Sequence, residues 1–283
     1  MLDSDNIYLY TYNMKLRVSH ESPISILQYS KEYNDFDYCL VHLCEKYPEY
    51  LDFFVLGRSV YSRDVLLDNS LFELGKAFDP ARYMHFARLI KPSYIIAPDE
   101  MEGCENTIKG FKSFDEAYGK ELGDMNIAKI GATQGKTYQE LVECYKFMSD
   151  NADIIAISFD WSYYQLTGIG KTKLERSMNG RINLIRDLIE DGVWNWNKPV
   201  HLLGCSLARE FSWYANNNIY NITSCDTSNP VVAAIHNLKY NGVLGLNTKP
   251  STMLADLITH KFNEDQMDAL RYNVNAFKQI IGR

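Results

Sequence analysis

Three aspartates occupy the same kind of position in this chain. Asp68 follows the apolar run Val65-Leu66-Leu67, Asp99 follows Ile95-Ile96-Ala97-Pro98, and Asp226 follows Ile222-Thr223-Ser224-Cys225. Other polar or small residues repeat the pattern: Gln134 closely follows Ile127–Ile130, Ser158 and Asp160 follow Ile154–Ile157, and Gly204 follows His201-Leu202-Leu203. If the apolar runs are parallel strands, their ends point the same way, and three carboxylates and an amide converge on one pocket. Neighbouring carboxylates push their pKa values apart, so one can be ionised while another stays protonated, as acid–base and nucleophilic chemistry requires. The plainer alternative is that each Asp caps the helix after it, its side chain accepting a free backbone N–H. One such Asp fits the capping alternative better; the repetition favours the pocket.

Short apolar runs alternate with amphipathic stretches along the chain. Expected strands are Tyr38–Val41, Phe53–Leu56, Val65–Leu67, Tyr94–Ala97, Ile127–Ile130, Ile154–Ser158, Val200–Leu203 and Ile219–Thr223, with a weaker one at Val243–Leu246. Expected helices include Pro80–Lys91, with Tyr83, Phe86, Ala87 and Ile90 at helical spacing, and Thr137–Ser149, opened by a Thr137/Glu140 capping box. Met178–Asp191, Leu207–Asn216 and Glu264–Ile281 follow the same period. Strands alternating with helices imply parallel βα units. Their number fits a (β/α)8 barrel or a doubly wound open sheet, and the count alone leaves both open. The repeated polar strand ends favour the barrel, whose catalytic groups gather at one mouth. We therefore expect a single α/β TIM-barrel domain over residues 1–283, with residues 1–37 as a less defined N-terminal extension.

Composition narrows the function classes. The 283 residues are 46% hydrophobic and 23% charged, which is ordinary for a folded globular chain. A net charge of −7 argues against a generic basic nucleic-acid coat, although not against a local basic groove. No apolar run of membrane-spanning length and no secretory leader is visible, so no membrane association is expected. The six cysteines, Cys39, Cys44, Cys104, Cys144, Cys205 and Cys225, are scattered without a C-x-x-C pair. They read as reduced thiols of a cytoplasmic protein, and with no Cys/His quartet neither a zinc site nor another cofactor is expected. The six histidines lack metal-ligand spacing; His201 reads best as a satisfied core histidine. Gly168-Ile169-Gly170-Lys171-Thr172 lacks the first glycine of a phosphate loop, Gln165 standing in its place.

An ordered set of segments resembles the tRNA-guanine transglycosylase superfamily. Asp68-Asn69-Ser70-Leu71-Phe72-Glu73 resembles its D-S-G-G-F-Q segment, Ala97-Pro98-Asp99-Glu100 its A-F-D-E, and Ile130-Gly131-Ala132-Thr133-Gln134-Gly135 its I-V-Q-G-G. His201-Leu202-Leu203-Gly204 stands where that family carries Y-L-M-G, and Cys225-Asp226-Thr227-Ser228-Asn229-Pro230 where it carries F-D-C-V-x-P. Order and spacing are kept from about residue 50 onward. Two departures stand out. Ser158-Phe159-Asp160-Trp161 replaces the family's two-glycine loop, and the C-x-C-x-x-C…H zinc subdomain of the bacterial tRNA enzymes is missing. A shortened, zinc-free chain is similar to the phage branch, which exchanges guanine in DNA for a 7-deazaguanine such as 7-cyano-7-deazaguanine. For a phage-encoded chain the compartment would be the host cytoplasm.

The resemblance implies roles. Asp226 would be the nucleophile at C1′ and Asp68 the acid/base residue. Asp99 would read guanine N1–H and the 2-amino group, Gln134 would donate to O6, and Gly204 and Ser158 would close the pocket. Phe72 and Phe159 would stack on the base. A DNA substrate needs phosphate contacts, and Lys171, Lys173, Arg176, Arg181 and Arg186, opposed only by Glu175, form the expected backbone-binding stretch. The alternatives are a tRNA substrate, a non-catalytic nucleic-acid-binding partner subunit, and a barrel enzyme acting on a free small molecule. The oligomeric state is left open.

Overall fold

The structure, a computed structural model, describes residues 16–159, 162–205, 207–241, 245–246, 250 and 252–282. Eight parallel strands form a nearly closed (β/α)8 barrel: β1 (Arg17–His20), β2 (Asp37–Leu40), β3 (Val65–Asp68), β4 (Tyr94–Ile96), β5 (Ala128–Thr133), β6 (Ile154–Ile157), β7 (Val200–Leu202) and β8 (Ile222–Thr227). Their order around the sheet is β1-β8-β7-β6-β5-β4-β3-β2. The seam between β1 and β2 is bridged by the Tyr38 N–H donating to Ser19 Oγ at 3.1 Å. Most strands are near-continuous buried runs, such as Val-Leu-Leu in β3 and Ile-Ile-Ala-Ile in β6, because a parallel strand is covered on both faces.

The barrel was legible in most of its strands, and three expectations need correction. Phe53–Leu56 is helical, inside Pro48–Ser59. Tyr50, Phe53, Phe54 and Gly57 are the buried residues there, a spacing of three, four and seven that marks a helix face, and Pro48 suits its first turn. Residues 17–20, expected within an extension, form β1, which pairs with β8 from Arg17↔Ser224 to His20↔Thr227. Its Arg-Val-Ser-His sequence has no apolar run to announce it. The last strand lies three residues later than expected, at Ile222–Thr227, so Asp226 is inside it rather than after it. Of the weak strand expected at Val243–Leu246, residues 243–244 lie outside the described residues, and Gly245 makes an isolated antiparallel bridge with Asn241.

Helices Pro80–Ile90, Tyr138–Asn151, Lys173–Glu190, Glu210–Asn216 and Glu264–Ile280 match the expected stretches, and Cys104–Asp124 adds a 21-residue helix between β4 and β5. Thr137 and Glu140 form the expected capping box. Among the described residues no helix is long and apolar enough to cross a membrane, and all six cysteines are free and buried.

One helix side chain fixes the mouth directly. Tyr83, fully buried on Pro80–Ile90, donates to the carbonyls of Leu67 at 2.7 Å and Ile96 at 3.0 Å. It thereby clamps the C-terminal ends of β3 and β4, from which Asp68 and Asp99 project. On the opposite side, the short helix Ser162–Thr167 lies against Lys173–Glu190 so closely that a Cβ on Gly180 would meet the Tyr164 Cα at 2.4 Å.

Candidate active site

The C-terminal ends of the strands enclose a pocket of about 500 Å³. Asp68, Asp99, Gln134, Ser158, Gly204, Asp226 and Phe72 all line it, as does Lys173. The pocket is therefore where the strand-end pattern placed it, and its size is in the range of small-molecule sites.

Asp226, 3% exposed, is held from two sides. Its Oδ1 lies 3.0 Å from His201 Nε2, and the Gly204 N–H approaches both carboxylate oxygens at 3.1 Å. Gly204 reaches this position with φ +65°, a conformation natural to glycine and costly for other residues. His201 Nδ1 in turn lies 2.8 Å from Ser224 Oγ, so the imidazole is fixed at both nitrogens. His201 is fully buried, as expected of a core histidine, yet its ring orients the carboxylate at the site.

Asp68 has a different environment. Burial pushes its carboxyl well above the usual range, and Glu73, Asp99 and Asp226 add like charge around it. The Ser70 N–H, donating to it at 3.2 Å, works in the opposite direction. Ser70 itself has φ +59° although it is not glycine; such locally strained backbone tends to persist at functional turns. The two aspartates thus sit in one pocket with opposite preparation. Asp226 is steered by donors, while Asp68 is buried and crowded by other acids, which favours its neutral form.

Asp99 is placed by two amides. Asn69 Nδ2 donates to its Oδ1 at 2.8 Å, and Gln134 Nε2 donates to its Oδ2 at 2.6 Å. Burial raises the Asp99 carboxyl and these two bonds counter it. Asn69 also donates to the Ala97 carbonyl at 3.1 Å and accepts from the Leu71 N–H at 2.9 Å, tying the turn after β3 to the end of β4. Gln134 accepts from the Glu102 N–H at 3.0 Å. The amide expected to face a ligand directly therefore spends one N–H on Asp99 and its oxygen on the Glu102 N–H, and Gly204 spends its N–H on Asp226.

Aromatic groups define the rest of the wall. Phe72 is 54% exposed at the rim, and Phe159 lines the pocket with the Arg181 guanidinium 4.9 Å from its ring centroid. Asp160 and Trp161, next to it, lie outside the described residues.

The basic stretch does not form one surface. Arg181 is fully buried and donates to both oxygens of Glu210 at 2.7 and 2.8 Å, with further bonds to the carbonyls of Ile157 and Leu203. Desolvation alone would lower its pKa; Glu210 outweighs that and raises it. Its expected contact with a phosphate backbone is thereby corrected. Arg181 shares the core face of its helix with Ser177, Leu184, Ile185 and Leu188, which sequence spacing already contains. Arg186 lies on the exposed side beside Asp187 at 3.1 Å and Glu190 at 3.7 Å. Arg176 reaches Gln165 Oε1 at 3.3 Å and the Gly170 carbonyl at 3.5 Å. Glu175 occupies the helix N-terminus, accepting from the N–H groups of Lys171 at 2.8 Å and Thr172 at 3.1 Å. A carboxylate therefore already sits where a phosphate loop would hold an anion. Of the five basic residues only Lys173 reaches the pocket wall.

Sequence reasoning passed over Glu73 and Glu21, which also line the pocket. Glu73 was within the quoted Asp68–Glu73 segment; neither residue follows an apolar run. Among the described residues no group of three or more His, Cys, Asp or Glu side chains is arranged to hold a metal ion. Neither a known protein-family model nor a curated protein sequence matches this chain.

Proposed function

We propose that this barrel is a pentosyltransferase that exchanges guanine in DNA for a 7-deazaguanine, 7-cyano-7-deazaguanine being one such base. The observation that carries the reading is the pairing, at one barrel mouth, of a donor-held Asp226 with a buried Asp68 that other acids crowd. Breaking an N-glycosidic bond with retention needs these two roles, a nucleophile and an acid.

In the proposed sequence an Asp226 oxygen attacks C1′ as the C1′–N9 bond breaks. The bonding electrons leave with guanine, which takes the Asp68 proton. The sugar is then held as an ester on Asp226, so one difficult displacement becomes two. Asp68, now a carboxylate, removes the N9 proton of the incoming base. That nitrogen attacks C1′ and releases the Asp226 carboxylate. Asp99 suits the base-reading role. Each of its oxygens accepts one bond from Asn69 or Gln134 and keeps lone-pair capacity for guanine N1–H and the 2-amino group. The second Gln134 N–H hydrogen is available to O6. A base inside a duplex must be flipped to reach such a pocket, and Phe72 at the rim offers a face for stacking.

One observation favours a second reading. Among the described residues the wall carries Glu21, Asp68, Glu73, Asp99 and Asp226 against Lys173, a balance better matched to a free nucleoside than to a polyanion. The same glycosyl chemistry would then act on a small molecule. Incubation with labelled guanine and, separately, duplex DNA, tRNA and free 2′-deoxyguanosine separates these substrates. Label entering DNA is expected; label entering only tRNA or only the nucleoside overturns the choice of DNA.

A further inference from the structure

The segment between β6 and the helix Lys173–Glu190 leaves the pocket wall at Phe159 and rejoins it at Thr172, Lys173 and Leu174. Between these points stand Leu166 and Ile169, 83% and 84% exposed, the two most exposed large apolar side chains among the described residues. Their backbone is firmly held. The Ser162 N–H donates to Glu102 Oε1 at 2.7 Å, tying the near end to the loop after β4. The Gly168 N–H donates to the Tyr164 carbonyl at 2.8 Å. Asn183 and Asn179, one turn apart on Lys173–Glu190, donate to the carbonyls of Thr167 and Ile169. Gly168 lies so near this helix that a Cβ there would run into the Arg176 carbonyl. A fixed backbone thus presents Leu166 and Ile169 to water and forgoes the stabilisation that burying them would give.

We propose that Leu166 and Ile169 are an apolar wedge that enters the base stack of duplex DNA and fills the gap left by a guanine flipped into the pocket. The wedge serves the base-exchange reading and rests on it. Three features favour this occupant. Ile169 is three residues from Thr172 on the pocket wall, so at most about 11 Å of chain separates the tip from the pocket that would receive the base. Leu and Ile are side chains that part base steps when inserted, and a filled gap offsets some of the unstacking that flipping costs. Lys171 and Lys173 follow the tip at exposed positions and supply cations for the adjoining phosphates. A lipid surface calls for a broad apolar face, and a tip of two side chains is narrower than that.

The test compares base exchange into duplex and single-stranded DNA of one sequence, because a single strand offers its guanine without flipping. Leu166→Ser combined with Ile169→Ser should lower the duplex-to-single-strand ratio by about tenfold or more. Leu166→Met with Ile169→Met, which keeps the tip apolar, should return it toward wild type. Leu89→Ser, a change of an exposed aliphatic on the outer helix Pro80–Ile90, should leave the ratio alone. A ratio unmoved in the double Ser variant, or moved equally by Leu89→Ser, overturns the wedge. A second readout needs no exchange. Duplex DNA carrying the fluorescent base 2-aminopurine at the target position should brighten with wild type and not with the double Ser variant. Brightening absent with wild type, or equal with both proteins, overturns the wedge. If no DNA is exchanged but the fluorescence behaves as stated, the base-exchange reading fails and the wedge stands. Binding to anionic phospholipid vesicles, or self-association, that the double Ser variant loses would give the tip to a membrane or a second copy and overturn its assignment to DNA.

Discussion

At the scale of single residues the account turns on two aspartates with opposite surroundings. Asp226→Ala should keep the folded circular dichroism spectrum, lower the melting temperature because Gly204 and His201 lose their buried acceptor, and reduce exchange below detection; normal turnover would remove Asp226 from its role. Asp68→Asn should slow exchange by about 10²–10⁴-fold, the usual worth of a positioned acid–base group, while nucleic-acid affinity changes little. Equal loss of both would contradict the assignment. Asp99→Ala should cost about 1–3 kcal/mol of discrimination between guanine and other purines, since the acceptor proposed for guanine N1–H and the 2-amino group would be gone. Glu73 also links the site to stability. Its folded-state pKa is raised to about 7 from a usual 4.5, so its contribution to stability is present below about pH 4.5 and is lost as pH rises through 7. Denaturant unfolding of Glu73→Gln should therefore show a gain over wild type that is larger at pH 8 than at pH 4.

At the scale of elements the site is held by clamps between neighbouring strands rather than by any one loop. Tyr83 joins the ends of β3 and β4, Asn69 joins the turn after β3 to Asp99, and Gly204 joins the loop after β7 to Asp226 on β8. Arg181 and Glu210 perform the same service between the helices behind β6 and β7. Arg181→Met should destabilise the fold by about 3–5 kcal/mol in chemical denaturation, because it leaves Glu210 buried and unpaired. A loss no larger than that of an exposed Arg186→Met would contradict this placement.

These elements also explain how much was readable beforehand. Asp68 and Asp99 were visible because a buried parallel strand is a near-continuous apolar run and a polar residue at its end marks the mouth; Gln134 follows a run that Lys129 interrupts. Phe53–Leu56 has the same local composition, and only the wider spacing from Tyr50 to Gly57 separates helix from strand. Arg181 read as a surface cation because its partner, Glu210, is 29 residues away. β1 and Glu73 carried no pattern of their own. Their places depend on β8 and on the Ser70 turn, which are tertiary facts.

At the scale of the whole molecule, the described mouth is rich in acids with Lys173 beside them, and the proposed reaction would bring a neutral base into it while the charged phosphates stay outside. The net charge of −7 fits that division: it limits unspecific adhesion to nucleic acid without closing the mouth to a flipped base. The most direct test is mass spectrometry of the nucleosides released from duplex DNA after incubation with the protein and a panel of 7-deazaguanines. The account predicts a 7-deaza-2′-deoxyguanosine in the DNA with wild-type protein and none with Asp226→Ala. Unaltered DNA nucleosides across the panel, or equal incorporation by Asp226→Ala, would contradict it.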